Sequence, residues 1–118
     1  MKFLIAIALC LIPSLANAEW STLDTAMEAT YTAVHVMDWR QTRTIAKRQG
    51  QWRETNGILG DHPSRDRVDA WFAGTLAGHA LISYLLPDKW RTAWQALTIG
   101  IEATTVARNY QLGVKVAF

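Results

Sequence analysis

An all-α fold is predicted for this chain of 118 residues: a three-helix membrane bundle behind an N-terminal signal peptide. Three long segments carry apolar and polar residues at helical spacing, and no period-two alternation of useful length indicates a sheet. Breakers separate the segments, with Pro63 in the first connection and Pro87 in the second. The length suits one domain, so we expect residues 19–118 to form a single helical domain.

Residues 1–18 have the three parts of a secretory signal peptide. Lys2 supplies the positive charge, residues 3–12 form the apolar run, and residues 16–18 (Ala-Asn-Ala) form a small-residue cleavage site. The alternative is an uncleaved signal anchor, although this apolar run is short for a membrane span. Cys10, the only cysteine, lies in the run, so the cleaved chain would have no disulfide, thiolate nucleophile or cysteine-ligated metal.

Helix-start and helix-stop signals divide the rest of the chain. The predicted elements are three helices and a connector, at about residues 21–47, 64–86 and 88–110 and at 48–63. Ser64 is a favoured N-cap, and Asp66 lies in the first turn behind it, where a carboxylate suits the helix dipole. Pro87 cannot continue helix 2, and the tight link at this point predicts that helices 2 and 3 form an antiparallel hairpin.

Tryptophan spacing suggests a membrane. Trp20 and Trp39 are 19 residues apart, as are Trp71 and Trp90, and that many helical residues span about 28 Å, near the thickness of a bilayer's hydrocarbon core. Tryptophan favours the two interfaces, and the basic connector favours the cytoplasm. We therefore expect a bacterial inner-membrane protein with its N-terminus in the periplasm and its C-terminus in the cytoplasm. The alternative is a soluble periplasmic helical binding module, in which the spacing is coincidental.

The charge balance bears on partners. Twelve lysines and arginines face ten aspartates and glutamates, and loss of Lys2 with the signal peptide would leave a net charge of +1. This balance does not indicate nucleic-acid binding, so the expected partners are membrane lipid and a protein partner or a second copy of the chain. No nucleotide-binding glycine loop or serine-hydrolase elbow is present, so we expect a structural or accessory protein without cofactor or catalytic residues.

Polar residues follow one face of each predicted helix. In helix 1 they recur at steps of four and three residues from Asp24 to Thr42, and helix 3 repeats the pattern from Gln95 to Asn109. Turned inward, these stripes would make a hydrogen-bonded core inside an apolar shell. The residues expected in this polar core are Glu28, His35, Asp38, His79, Glu102 and Asn109.

Four of these residues also suit an intramembrane metal or proton site. These metal candidates are Glu28, His35, His79 and Glu102. The other interpretation is structural, with the four side chains bonded to one another, because no Glu-x-x-His pair occurs and Glu28 lies two turns from His35. His79 and Ser83 are one turn apart, but no oxyanion-hole signature supports a serine hydrolase.

Small residues recur every fourth position on helices 2 and 3. They are Ala70, Gly74 and Gly78 on one helix and Ala96 and Gly100 on the other. Such ridges let helix backbones approach closely, so we expect helices 2 and 3 to pack through them.

Three strings, MDWRQTRTIA, ETNGILGDHPSRDRV and KWRTAWQALTIGIEA, carry a resemblance. They resemble a group of small bacterial and phage-encoded proteins with Asp-x-x-Gln-Thr, Asn-x-x-Leu-Gly-x-x-Pro-Ser and Trp-Arg-x-x-x-Gln motifs and no assigned reaction. The likeness covers most of the chain after residue 18 and implies no activity. It draws attention to polar groups around the connector, which we expect to bond the connector to the helices or to recognise a partner: Gln41, Thr42, Asn56 and Ser64.

Overall fold

The computed structural model describes residues 20–48 and 50–114, in which three α-helices are joined by one long and one short connection. The helices are α1 (Thr22–Lys47), α2 (Arg65–Leu85) and α3 (Asp88–Gln111). The all-helical prediction is confirmed, and each helix end lies within one residue of its expected place. The predicted signal peptide over residues 1–18 lies outside the described residues.

Serine side chains begin the first two helices. Ser21 Oγ accepts from the backbone N–H of Asp24, whose carboxylate accepts in return from the N–H of Ser21, forming a capping box. Ser64 Oγ accepts from the N–H of Arg67 at the start of α2. Pro87 separates α2 from α3, because it cannot donate the backbone hydrogen bond that a continuing helix needs.

The other two helices both pack against α1, and they make few contacts with each other. Hydrogen bonds between α1 and α3 join residues 67 or 68 positions apart along the length of both helices, so α1 and α3 run parallel in constant register. Bonds between α1 and α2 join residues whose separation shrinks from 55 to 40 to 26 positions along α1. Helix α2 therefore runs antiparallel to α1.

A small apolar cluster lies at the connector end of the bundle. Leu59 of the connector is buried against Val68 and Phe72 of α2, and Trp39 and Trp71 pack against all three. This cluster anchors the connector, because burying large apolar side chains is the main favourable contribution to folding.

A bidentate ion pair joins α1 to α2 at the same end. Arg43 donates to both carboxylate oxygens of Asp69, at 2.7 and 2.9 Å, and Trp39 Nε1 donates to the same carboxylate at 2.8 Å. The hydrogen bonds from Arg43 hold the pKa of Asp69 below its ordinary value of 3.8, although partial burial acts in the opposite direction. Asp69 therefore stays ionised in the neutral range and holds the two helices together.

Polar side chains fill most of the remaining interior. The buried polar residues are Asp24, His35, Asp38, Gln41, Thr42, His79, Ser83, Arg91 and Gln95. Large apolar side chains, among them Leu85, Leu97 and Ile101, lie exposed on the outside. The described helices therefore enclose a polar interior and present apolar side chains to their surroundings.

The prediction of a membrane-spanning bundle is wrong, and with it the inner-membrane localisation and the cytoplasmic connector. Within residues 20–48 and 50–114, no helix combines the length and the apolar character needed to cross a bilayer. The physical reason is the inward-facing polar stripe. Charged residues such as Asp24, Glu28 and Asp38 lie within α1 and lower its mean hydropathy, whereas tryptophan spacing is insensitive to them.

Tryptophans that suggested membrane interfaces are bonded within the bundle. Trp20 stacks on Tyr84 with ring centroids 4.7 Å apart, and its Nε1 donates to Thr25. Trp39 donates to Asp69 and packs on the apolar cluster. These two tryptophans thus have partners within the bundle, whereas Trp90 is 59% exposed and its ring contacts the ammonium group of Lys89.

Candidate functional site

A continuous chain of polar side chains, here the polar column, runs through the bundle where α1 faces its two neighbours. It comprises Asp24, Glu28, Tyr31, His35 and Asp38 of α1, His79 and Ser83 of α2, and Arg91, Gln95, Thr98 and Glu102 of α3. Steps of four and three residues keep the members from α1 and α3 on one face of each helix. The constant parallel register then brings matching members together.

A buried ion pair closes one end of the polar column. Arg91 Nη1 lies 3.0 Å from Asp24 Oδ2, and each side chain is 1% exposed. Arg91 also donates to the carbonyl oxygens of Ser83 and Leu86, which α2 leaves unpaired at its C-terminus. Burial raises the pKa of Asp24, but hydrogen bonds from Ser21 and Arg91 outweigh it, so the pKa lies below its ordinary value.

Glu28 links all three helices in the middle of the polar column. Its carboxylate accepts from Ser83 Oγ at 2.9 Å and from Gln95 Nε2 at 3.1 Å, and it lies 2.8 Å from His79 Nδ1. Burial raises the pKa of Glu28, but the bonds from His79, Gln95 and Ser83 together lower it below its ordinary value of 4.5. Glu28 is therefore an ionised acceptor held by donors from α2 and α3.

His79 is held between two aromatic rings. Tyr31 stacks on it at 3.4 Å between centroids with an interplanar angle of 7°, and Trp94 stacks on it at 5.0 Å. Its Nε2 lies 2.7 Å from the hydroxyl of Thr98, which itself donates to the carbonyl oxygen of Trp94. That hydroxyl oxygen can accept from Nε2 while Nδ1 donates to Glu28, an arrangement that suits an imidazolium donating from both nitrogens.

His35 has a different hydrogen-bonding pattern. Its Nε2 lies 3.0 Å from the carbonyl oxygen of Phe72, which can only accept, so Nε2 carries the hydrogen. Its Nδ1 lies 3.2 Å from the hydroxyl of Tyr31 and 3.4 Å from Glu102 Oε1. Burial and the nearby carboxylates raise the pKa of Tyr31 above its ordinary value, so this hydroxyl keeps its proton and donates it to His35.

Asp38 and Glu102 form a carboxyl pair beyond His35. Burial, then the negative charge and the side chain of Glu102, raise the pKa of Asp38 to about 8, so Asp38 keeps its proton near neutral pH. Glu102 Oε2 is buried and has no hydrogen-bond partner among the described residues.

The residues expected to contact the connector have other partners. Gln41 is buried, donates to the carbonyl oxygen of Val106 on α3 and accepts from Asn109 Nδ2 at 3.1 Å. Thr42 donates to Asp38 within α1. Asn56 Oδ1 accepts from backbone N–H groups two and three residues further on, and Ser64 is the N-cap of α2. These residues stabilise the helices and local turns, and none joins α1 to the connector by a hydrogen bond.

The four metal candidates do not converge on one point. Glu28 pairs with His79 at 2.8 Å, and His35 pairs with Glu102 at 3.4 Å. In residues 20–48 and 50–114, no three histidine, aspartate or glutamate side chains are grouped so as to hold a metal ion. Each histidine therefore has its own carboxylate partner inside the polar column.

Small residues expected to join α2 to α3 lie on the outside. Ala70, Gly74, Ala96 and Gly100 are exposed and Gly78 is half-buried. A Cβ atom added at any of these three glycines would meet no neighbouring atom within 4 Å. The expected close approach of α2 and α3 at these glycines is absent, because both helices pack chiefly on α1.

From the sequence, Arg91 was not placed in the polar core. A signal was present, because Arg91 precedes Gln95 by four residues and extends the stripe of helix 3 by one turn. Ser83 was considered only as a nucleophile. In the structure its hydroxyl is fully buried and donates towards Glu28 and the carbonyl oxygen of His79, so it cannot attack a substrate.

The polar column can hold charges and a proton on Asp38, and its described members present no reachable nucleophile. Its members chiefly bond one another, which favours a structural role over chemistry on a ligand. The chain matches no protein-family model, no curated protein and no solved structure, so its function is argued from this geometry.

Proposed function

We propose that this protein is a non-catalytic helical binding module that associates with a second copy of itself through the outer face of α3. That face consists of Ala96, Leu97, Gly100, Ile101, Thr104 and Thr105. The signal peptide expected over residues 1–18 would place the module in the periplasm. A binding module is the alternative to a membrane protein that the sequence left open, and the outer face of α3 is its binding surface.

The observation that carries the proposal is the absence of charge on an exposed helix face. Between Thr92 and Ala107, about 24 Å of helix, the only charged residue is Glu102, which turns inward to His35. Leu97 is 62% and Ile101 57% exposed. Exposed apolar patches of this kind on a folded chain mark binding surfaces.

Protruding side chains, here called knobs, and a groove lie side by side on this face. Leu97 and Ile101 project from one row of α3, and Gly100 leaves an open groove of about 540 Å³ in the next row. A two-fold axis would bring the knobs of one copy into the groove of the other, because the two surfaces of such an interface are identical. An uncharged face also meets its own copy without like-charge repulsion.

The polar column supports this role by fixing the helices that present the face. Buried polar groups pack favourably only in arrangements that satisfy their hydrogen bonds, so they discriminate against shifted helix registers. Glu102 also contributes, since its side chain turns inward to within 3.4 Å of His35 Nδ1 and so removes a charge from the outside of α3. The shape of the outer face of α3 and its lack of charge therefore depend on the packing of the polar column.

Sedimentation velocity of the purified full chain tests the proposal. We expect a concentration-dependent dimer for the wild type and a monomer for Ile101→Glu, since a carboxylate in the interface would be desolvated without a partner. The matched control is Leu23→Glu, which places the same charge on an equally exposed side chain of α1 and should leave the dimer intact.

A second variant distinguishes the effect of the groove's shape from the effect of the apolar character of the face. Gly100→Leu keeps the face apolar but fills the groove, so it should weaken the dimer at least tenfold without unfolding the monomer, where the new side chain meets open space. A wild type that stays monomeric at all concentrations would overturn the proposal, as would a dimer insensitive to both α3 variants. Monomeric protein that binds phospholipid vesicles through this face would also overturn it, in favour of a lipid surface.

A further inference from the structure

A separate cleft lies at the end of the bundle, where α1, the connector and the end of α3 converge. It has a volume of about 130 Å³ and is more enclosed than the groove on α3. Ile45 and Val114, both buried, and the exposed Leu112 form its apolar lining. Its polar lining comprises Trp52, Arg53, Glu54, Thr55, Thr105, Arg108 and Asn109. We call it the arginine cleft.

Two arginines from different parts of the chain line this cleft without a carboxylate partner. Arg53 lies in the connector and Arg108 in the last turns of α3, and neither guanidinium group forms an ion pair or hydrogen bond with the described residues. Elsewhere Arg43 and Arg91 are paired with aspartates. The unpaired charges of the cleft are therefore positive and come from two elements that only the fold brings together.

Glu54 also lines the cleft, but its carboxylate has other partners. Its Oε1 accepts from the backbone N–H groups of Thr55 and Asn56, both at 3.0 Å. These bonds hold the carboxylate on the connector backbone. Two guanidinium groups against one carboxylate leave the cleft with a net positive charge.

Neutral donors complete the lining. The indole N–H of Trp52 and the hydroxyl of Thr55 form no hydrogen bond with another part of the described chain, and both residues border the cleft. Guanidinium, indole and hydroxyl groups are the donors that bind oxyanions, and arginine does so with two parallel hydrogen bonds. The volume admits a group of a few heavy atoms.

We propose that the arginine cleft binds a small oxyanion, a phosphate or carboxylate group, held between Arg53 and Arg108. This site shares only Thr105 with the outer face of α3, and it does not depend on self-association. The ligand would join the connector to α3, so its binding should also raise the melting temperature of the protein.

Isothermal titration calorimetry of the full chain tests this site, with inorganic phosphate as the first probe and acetate as the second, at constant ionic strength. We expect saturable binding that weakens at least tenfold in Arg53→Gln and in Arg108→Gln. Arg65→Gln removes an exposed guanidinium from the first turn of α2 and should leave binding unchanged. Tighter binding of phosphate assigns the cleft to phosphate groups, and tighter binding of acetate assigns it to carboxylates.

Three results would overturn the proposal. The first is that neither probe binds saturably to the wild type. The second is an equal loss of affinity in all three variants, which would indicate bulk charge attraction. The third is a loss of affinity in the variant of only one cleft arginine. Circular dichroism melting of each variant in chloride buffer shows whether the fold is kept. We expect no change, since both cleft guanidinium groups lack bonds within the described chain.

Discussion

Arg91 shows how one side chain can decide the packing of three helices. It joins the N-terminal part of α1, through Asp24, to the terminal carbonyl oxygens of α2 and to its own helix. Its interactions are buried, so water cannot replace them when the side chain is removed. Removing only one partner of a buried ion pair is costly, because the remaining charge stays desolvated without a counter-charge.

Replacing Arg91 by methionine should therefore lower the free energy of unfolding by about 3–5 kcal/mol, as measured by urea denaturation. Adding Asp24→Asn to this variant should recover part of the loss, because the amide removes the unpaired charge but its oxygen still accepts from the backbone N–H of Ser21. Additive effects of the two substitutions would contradict a direct interaction between Asp24 and Arg91.

At the scale of elements, helix ends and glycine positions follow local rules. Ser21 and Ser64 cap their helices as residues of this type do in general, which is why the helix bounds are predictable from the sequence. The glycines differ from one another. Gly74 lies in α2 beside open space, whereas Gly60 has a φ of 83° in the connector, a conformation that L side chains rarely adopt.

Two alanine substitutions should therefore have opposite effects. Gly74→Ala should raise the free energy of unfolding by roughly 0.5–1 kcal/mol, because alanine is the better helix former and its Cβ meets no neighbour. Gly60→Ala should lower it by about 1 kcal/mol or more through backbone strain. Thermal unfolding followed by circular dichroism measures both, and destabilisation by Gly74→Ala would show that α2 is packed at this position.

On the scale of the whole molecule, the polar column makes stability depend on pH in two opposite ways. The pKa of Asp38 is raised from 3.8 to about 8, so across that range the folded state holds a proton that the unfolded state has lost. Stability therefore falls as pH rises through this window. The pKa values of Asp24 and Glu28 are lowered, so their contribution is present above about pH 4 and is lost in acid.

The free energy of unfolding should therefore be greatest near pH 4–5 and decline towards pH 8, with Asp38 contributing up to about 1.4 kcal/mol per pH unit. Urea denaturation across pH 3–9 measures this profile. Asp38→Asn should flatten the decline between pH 5 and 8, because the amide does not titrate. An identical slope in wild type and variant would show that Asp38 is not the source of the decline.

The sequence by itself determined the three helices, their caps and the inward stripes of α1 and α3, because these depend on interactions within about four residues along the chain. It left open which stripe members meet. Glu28 pairs with His79 and Asp38 with Glu102 only because α1 and α3 run parallel at an offset of 67 positions while α2 runs antiparallel. Helix orientation and register arise from packing over long separations, which local spacing does not encode.

Because local spacing does not encode tertiary contacts, the membrane interpretation was wrong, and neither the outer face of α3 nor the arginine cleft was predicted. Tryptophan spacing reports distance along one helix and carries no information about the partner of each indole, such as Asp69 for Trp39. Likewise, the small residues around Gly100 predict the close approach of another helix but do not identify that helix. In the structure they lie on the outside of the bundle. Arg53 and Arg108 are more than fifty residues apart in sequence, so only the tertiary structure places them on one cleft.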